Sequence, residues 1–116
     1  MSKLLIYIGE NQKFDVPTTI DAITSIAGVS NTREGKFIGA SFECEYTLQG
    51  LTTIVRISED AETVTIEGFG DESLDFALKL QSLLSVPLSV IDMEYSFNLK
   101  LPNYKAVSEL KSAISG

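Results

Sequence analysis

A long stretch of alternating side chains is the feature that most constrains how this chain can fold. Between residues 38 and 48, apolar or aromatic side chains occupy every second position: Ile38, Ala40, Phe42, Cys44, Tyr46 and Leu48. A period of two places these side chains on one face of an extended strand and the polar residues between them on the other. The sequence therefore predicts a long, half-buried strand that begins at Phe37.

Two short turns extend this strand into a three-stranded meander. Gln49-Gly50 fits a two-residue hairpin turn, and the register that it sets places Cys44 opposite Val55. A second tight turn at Asp60-Ala61 places Val55 opposite Ile66. Both registers keep the apolar residues on one face, so two independent turn predictions agree.

The rest of the chain supplies two further extended segments and three helices. Residues 3–9 form a short apolar run, which is typical of a strand buried on both faces or at the centre of a sheet. Residues 88–101 are also predicted to be extended, either as one strand or as two pieces separated at Asp92-Met93. Residues 29–35 have no periodicity and are predicted to form a loop.

Helix signals recur at three places. Apolar residues follow Pro17 at helical spacing until Gly28, and they cover most of a second helix between Gly70 and Pro87. Asn103 can cap a third helix at the end of the chain. The predicted order is βαβββαβα, an α+β fold in which the helices pack on one face of an antiparallel sheet as a two-layer sandwich.

Length and composition favour a single globular domain over residues 1–116. Hydrophobic residues make up 44% of the chain and charged residues 22%. No apolar run approaches the length of a membrane span, and the five apolar residues after Lys3 are too few for a signal peptide. The single cysteine is compatible with a reducing compartment, so we expect a cytoplasmic protein with no membrane association.

The charge is negative and unevenly distributed. The net charge is −7, and residues 43–94 alone hold eleven acids against Arg56 and Lys79. Nucleic-acid binding needs clustered Lys and Arg on one surface, so this balance argues against it. An asymmetric negative field instead favours association with a basic protein.

The sequence holds no recognisable catalytic or cofactor motif. Histidine is absent, which removes the usual general base and the commonest transition-metal ligand. Cys44 is flanked by Glu43 and Glu45, whose charges oppose thiolate formation, so a buried structural thiol is the favoured interpretation. We therefore predict no catalytic residue, no cofactor and no metal site, and a carboxylate-based enzyme remains the least favoured alternative.

The predicted registers bring charged residues together on the polar face of the meander. Glu43 is expected opposite Arg56, and Glu45 opposite Ile54 with Glu67 beside it. An apolar side chain ringed by acids suits a basic protein partner, so we predict that partner-binding residues are Glu43, Glu45, Ile54, Arg56 and Glu67. Acids on an exposed sheet face can equally serve only solubility and block edge association.

The overall profile, a small acidic α+β domain with one cysteine and no catalytic set, is similar in character to bacterial immunity proteins that inhibit basic nuclease toxins. That resemblance implies a non-enzymatic protein-binding domain, with an immunity or inhibitor protein as its most specific form. The alternative is a homo-oligomeric structural or accessory subunit that associates through its uncovered sheet face or through the strand near Tyr95–Leu101.

Overall fold

The described part of the chain forms seven strands and three helices. The computed structural model describes residues 3–37 and 39–115, so Ile38 of the predicted alternation lies outside it. The strands are β1 (Lys3–Tyr7), β2 (Val29–Phe37), β3 (Ala40–Leu48), β4 (Leu51–Ser58), β5 (Val64–Glu67), β6 (Ser89–Asp92) and β7 (Asn98–Lys100). The helices are α1 (Val16–Thr24), α2 (Asp71–Leu83) and α3 (Val107–Ser115), and a short 3₁₀ turn spans Leu101–Asn103. The predicted α+β class is confirmed.

The strands form one antiparallel sheet in the order β2-β3-β4-β5-β1-β6-β7. The first strand of the chain lies between β5 and β6, so the predicted alternative of a strand inside the sheet is confirmed, whereas burial on both faces is not. Leu4 and Ile6 are fully buried on one face, whereas Leu5 and Tyr7 on the other face are half-buried. We call the first face of the sheet the inner face and the second the outer face.

Both predicted hairpin registers are present. Cys44 pairs with Val55, and Val55 pairs with Ile66. The connecting turn has positive φ angles at Gln49 (51°) and Gly50 (84°), as a tight hairpin turn that follows the twist of the strands requires. The side chains therefore alternate as predicted, with Cys44, Val55 and Ile66 fully buried on the inner face.

The prediction of a loop at residues 29–35 is wrong, because this segment is most of β2. It pairs with β3 as an edge strand, and its side chains from residue 30 to 34 are exposed, so no apolar alternation marks it. Two register shifts, one between Ser30 and Arg33 and one between Glu34 and Phe37, further disrupt the period of two. Bulges and charged side chains are common on edge strands because they block pairing with other chains.

The extended segment at residues 88–101 is divided into two strands, which was one of the two alternatives. Asp92 ends β6, and its carboxylate accepts a hydrogen bond from the Ser96 backbone N–H at 2.7 Å. Tyr95 takes a positive φ of 56° in this turn. The strand that follows, β7, is only three residues long and forms the second edge of the sheet.

The helices cover the inner face. Helix α2 buries Leu74, Phe76, Ala77 and Leu80 in the same hydrophobic core as the inward residues of the strands. Ile23 of α1 and Leu110 of α3 belong to that core as well. The predicted packing of helices on one side is therefore confirmed, and no helix in the described ranges lies on the outer face.

A close backbone approach fixes the entry into β2. Gly28 has a φ of 100°, its carbonyl accepts a hydrogen bond from the Thr47 N–H at 3.1 Å, and a Cβ atom there would lie 2.6 Å from the Thr47 carbonyl oxygen. Only glycine fits this position, so it sets where the chain turns from α1 to the sheet edge. None of the helices described is long and apolar enough to cross a membrane.

Substitutions on the two faces of the sheet test this register. Val55→Ala and Ile66→Ala should destabilise the protein by about 1–3 and about 2–5 kcal/mol, because each removes buried methyl groups and leaves a cavity. Thr65→Ala, on the half-buried outer face, should cost less than about 1 kcal/mol. The free energy of unfolding in urea measures all three, and equal costs at Val55 and Thr65 would contradict the assignment of faces.

Candidate functional site

The five predicted partner-binding residues all lie on outward positions of the three central meander strands. Glu43 pairs with Arg56 and Glu45 pairs with Ile54 across the β3–β4 ladder. Glu67, at the end of β5, lies one outward position beyond the Arg56–Thr65 pair. All five side chains are half-buried, so they are accessible but held within the sheet surface.

Glu43 lies between two arginines. Its Oε2 accepts a hydrogen bond from Nε of Arg56 at 2.6 Å, and its Oε1 accepts one from Nη2 of Arg33 at 2.8 Å. The bond from Arg56, and then that from Arg33, hold the pKa of the Glu43 carboxyl below its ordinary value. Glu43 is therefore ionised at neutral pH, and its charge is balanced inside the protein.

Glu45 and Glu67 also have neighbours that the sequence analysis did not provide. The Nδ2 atom of Asn31 donates a hydrogen bond to Oε1 of Glu45 at 2.8 Å. Glu67 lies opposite Lys3 in the β1–β5 ladder. The predicted cluster is therefore a surface of mixed charge, in which Arg33, Arg56 and Lys3 accompany the three acids.

Arg33 and Asn31 were missed because they lie on β2, which was expected to be a loop. Once β2 is paired with β3, Arg33 lies directly opposite Glu43 and Asn31 follows the residue opposite Glu45. The one sequence signal that could have indicated this pairing is the complementary charge of Arg33 and the acids of β3, since opposite charges favour cross-strand pairs.

A shallow pocket of about 410 Å³ opens where β2, β3 and β4 meet on the outer face. We call it the Ile54 pocket; its lining includes Asn31, Thr32, Arg33, Glu43, Glu45 and Ile54. Ile54 is half-buried there, an apolar side chain between charged and amide groups. This arrangement can accept an apolar or long aliphatic side chain while polar groups around it form hydrogen bonds.

Cys44 is among the residues that line the Ile54 pocket, but its position in β3 is an inner-face one. Its side chain is fully buried, and burial, followed by the charges of Glu43 and Glu45, raises the pKa of the thiol to about 12. A thiol with such a pKa stays protonated at neutral pH and is a poor nucleophile. The predicted burial of the Cys44 thiol is confirmed.

A second pocket, of about 440 Å³, lies on the other half of the outer face. We call it the tyrosine pocket; its lining includes Leu5, Tyr7, Glu10, Glu62, Ile91 and Tyr95. Leu5 and Ile91 face each other across the β1–β6 ladder, and Tyr95 is 75% exposed. The sequence analysis missed this site because its residues come from four separate segments of the chain.

Neither pocket has the composition of a metal centre. Within residues 3–37 and 39–115, no group of three or more His, Cys, Asp or Glu side chains is placed to hold a metal ion. The chemistry that the outer face offers is hydrogen bonding, ion pairing and apolar contact. Comparison with protein families, curated proteins and solved structures finds no match to this chain.

The interactions of Glu43 predict a dependence of stability on pH. Because the pKa of Glu43 is lower in the folded state than its ordinary 4.5, its ionised form stabilises the fold above that value, and this stabilisation is lost as the pH falls through the folded pKa. Glu43→Gln should therefore be less stable than wild type at neutral pH and lose less stability on acidification. Thermal unfolding at a series of pH values measures this.

The two arginines provide an internal comparison. Arg56→Gln should reduce the acid-dependent loss more than Arg33→Gln, because Arg56 makes the larger contribution to the lowered pKa of Glu43. Asp15, Asp60 and Asp92 also have lowered pKa values, so some acid destabilisation will remain in every variant. Identical pH profiles for wild type and Glu43→Gln would show that the ion pairs do not stabilise the sheet.

Proposed function

We propose that this chain is a non-enzymatic protein-binding domain whose outer sheet face docks a partner at the Ile54 pocket. In this proposal Ile54 receives an apolar or aliphatic side chain of the partner, and Glu45 and Glu67 form polar contacts at the rim. Glu43 and Arg56 already form an ion pair with each other, so their role in this proposal is to hold the surface around Ile54 in place. The cytoplasmic location expected from the sequence remains a prediction.

The observation that carries this proposal is a sheet face that no described helix covers and that nevertheless holds apolar side chains. Ile54, Leu5 and Ile91 are half-buried on the outer face. Ile54 lies in one pocket of this face, and Leu5 and Ile91 lie together in the other, so apolar side chains line both pockets, as is typical of binding sites. Polar and charged groups surround the apolar residues, as in the core and rim of protein interfaces.

A basic partner fits the charge of the whole chain. The net charge of −7 produces a field that accelerates the approach of a positively charged protein, even though the charges at the Ile54 pocket are largely balanced. An immunity or inhibitor protein that neutralises a basic toxin or enzyme is the most specific form of this proposal. Added salt should then slow association, since ions screen exposed charges over about 10 Å at 0.1 M.

The chemistry of the acids supports a binding role more than a catalytic one. A general acid or base works best with a pKa near the working pH, which for a carboxyl group means a raised pKa. The pKa of Glu43 is instead lowered by its two arginines. A carboxylate of this kind is better suited to organising the surface than to transferring protons.

Self-association through the outer face is the second candidate. The tyrosine pocket, with Leu5, Ile91 and the exposed Tyr95, is the observation that favours it. A two-fold pair would bring the same apolar patch of each copy together. The strand near Tyr95–Leu101 suits this role less well, because β7 offers only three residues for edge pairing. Light scattering at high protein concentration separates a monomer from such a pair.

Charge reversal on the outer face tests the docking proposal. Glu45→Lys with Glu67→Lys should weaken partner binding at least about 10-fold, because the variant loses attraction and repels a basic partner. The protein should still fold, because both side chains are half-buried on the outer face and lie outside the core, and ion pairs near the surface contribute only about 0–1 kcal/mol each to stability. The wild-type chain, immobilised and exposed to lysate from its source, would supply the captured partner for these affinity measurements.

Asp21→Lys with Asp71→Lys is the matched control, because these exposed acids belong to helices on the inner side of the sheet. It should retain a captured protein that the Glu45 and Glu67 variant loses. A partner that binds both double variants equally, or that is lost only from the control, would contradict docking on the outer face. Thermal melting of both variants confirms that they are folded before binding is compared.

A further inference from the structure

We propose that the tyrosine pocket binds the side chain of an arginine from a basic protein segment. This inference concerns a second site on the outer face, and it rests on the proposed function only for the source of that arginine. The pocket combines aromatic rings, apolar side chains and carboxylates at one place. The rings and carboxylates suit the guanidinium group of an arginine, and the apolar side chains suit its aliphatic part.

A backbone hydrogen bond holds together two of the segments that form the pocket. The Phe14 N–H donates to the Ala61 carbonyl at 2.8 Å, which holds the segment after β1 against the β4–β5 turn. That contact brings Glu10 and Glu62 to the same pocket although they are far apart in sequence. A frame held by hydrogen bonds loses little conformational freedom when a ligand binds.

The two tyrosines are also held in place. Nδ2 of Asn98 donates a hydrogen bond to the Tyr7 hydroxyl at 3.0 Å, which fixes that ring beside β7. Tyr95 projects from the turn that the Asp92 carboxylate holds through the Ser96 N–H. Its φ of 56° is unusual for a large aromatic residue, and its side chain is 75% exposed. Tyr95 is therefore an exposed aromatic side chain in the lining of the pocket, where its ring is accessible to a ligand.

The chemistry of the lining selects a cation with a planar, partly apolar side chain. The faces of Tyr7 and Tyr95 attract cations, and a guanidinium group can also stack on them. Leu5 and Ile91 offer apolar contact for the aliphatic part of an arginine side chain.

The charge around the pocket also favours a cationic ligand. Glu10 and Glu62 are exposed acids in its lining, and Glu59 and Asp60 belong to the same β4–β5 turn as Glu62. Lys13 is near enough to Asp60 to lower its pKa, so one base accompanies these four acids. An anionic ligand would meet repulsion here, whereas a guanidinium group can pair with a carboxylate through two hydrogen bonds.

A blocked pentapeptide with one central arginine between glycines tests the site directly on the full chain. Amide NMR spectra should shift on titration at residues around Tyr7, Glu62 and Tyr95, with a dissociation constant on the order of 1 mM for so small a ligand. The same peptide with citrulline, the neutral isostere of arginine, should bind at least about 5-fold more weakly. A lysine peptide should be intermediate, because ammonium stacks less well on aromatic rings.

Variants of the pocket then assign the contacts. Tyr95→Asn, which suits the positive φ, and the pair Glu10→Gln with Glu62→Gln should each weaken arginine binding at least about 5-fold. The pair Asp21→Asn with Glu34→Gln makes the same change in net charge at exposed acids outside the lining, in α1 and in the far edge strand β2, and should leave binding within about 2-fold.

Several results would overturn the site. Equal shifts with arginine and citrulline, equal binding of arginine and lysine, or shifts confined to residues outside the pocket would each contradict an arginine site. Because these peptides need no natural partner, their failure would leave docking at the Ile54 pocket standing. Conversely, arginine binding with no captured partner would support this site and count against the proposed function.

Discussion

The two-residue turn between β3 and β4 is the constraint on which the rest of the structure depends. Its positive φ angles at Gln49 and Gly50 set the register of the hairpin, and a side-chain hydrogen bond of 2.8 Å between Thr47 and Thr52 lies beside it. A slip of one residue would move the buried side chains of β3 to the outer face. Which residues form the core and which lie on the outer face is therefore decided at this turn.

The second determinant is the contact between β3 and α2, because it commits the helices to the inner face. The Tyr46 hydroxyl donates to Oδ2 of Asp75 at 2.5 Å and accepts a hydrogen bond from Nζ of Lys79 at 2.9 Å, while its ring meets the edge of Phe76 with centroids 5.3 Å apart. Burial and the bond to Asp75 raise the pKa of Tyr46, so its hydroxyl stays protonated and can donate at neutral pH. With α2 held there, the outer face stays open.

Sequence reasoning succeeded where side chains alternate between core and surface and failed where both sides of a strand are polar. The central strands β3, β4 and β5 were predicted with their registers because burial on one face leaves a period of two. The edge strand β2 has no alternation of apolar and polar residues in its sequence. Its described side chains past Val29 are exposed, and its bulges shift the register. Because β2 was not predicted, the predicted cluster did not include Arg33 and Asn31, which donate hydrogen bonds to two of its acids. The tyrosine pocket could not be predicted because only the path of the chain brings its four segments together.

The balanced charges change how binding on this face should be understood. Exposed ion pairs such as that between Arg33 and Glu43 contribute little affinity, and any partner that displaced Arg33 or Arg56 would have to replace the hydrogen bonds they already make. Binding energy on the outer face must therefore come mainly from apolar and aromatic contact, at Ile54 and at the two tyrosines. Further negative charge lies outside the two pockets, for instance in the exposed β4–β5 turn at Glu59 and Asp60. Such charges act over distance on the rate of encounter, so approach and docking depend on different residues of the same surface.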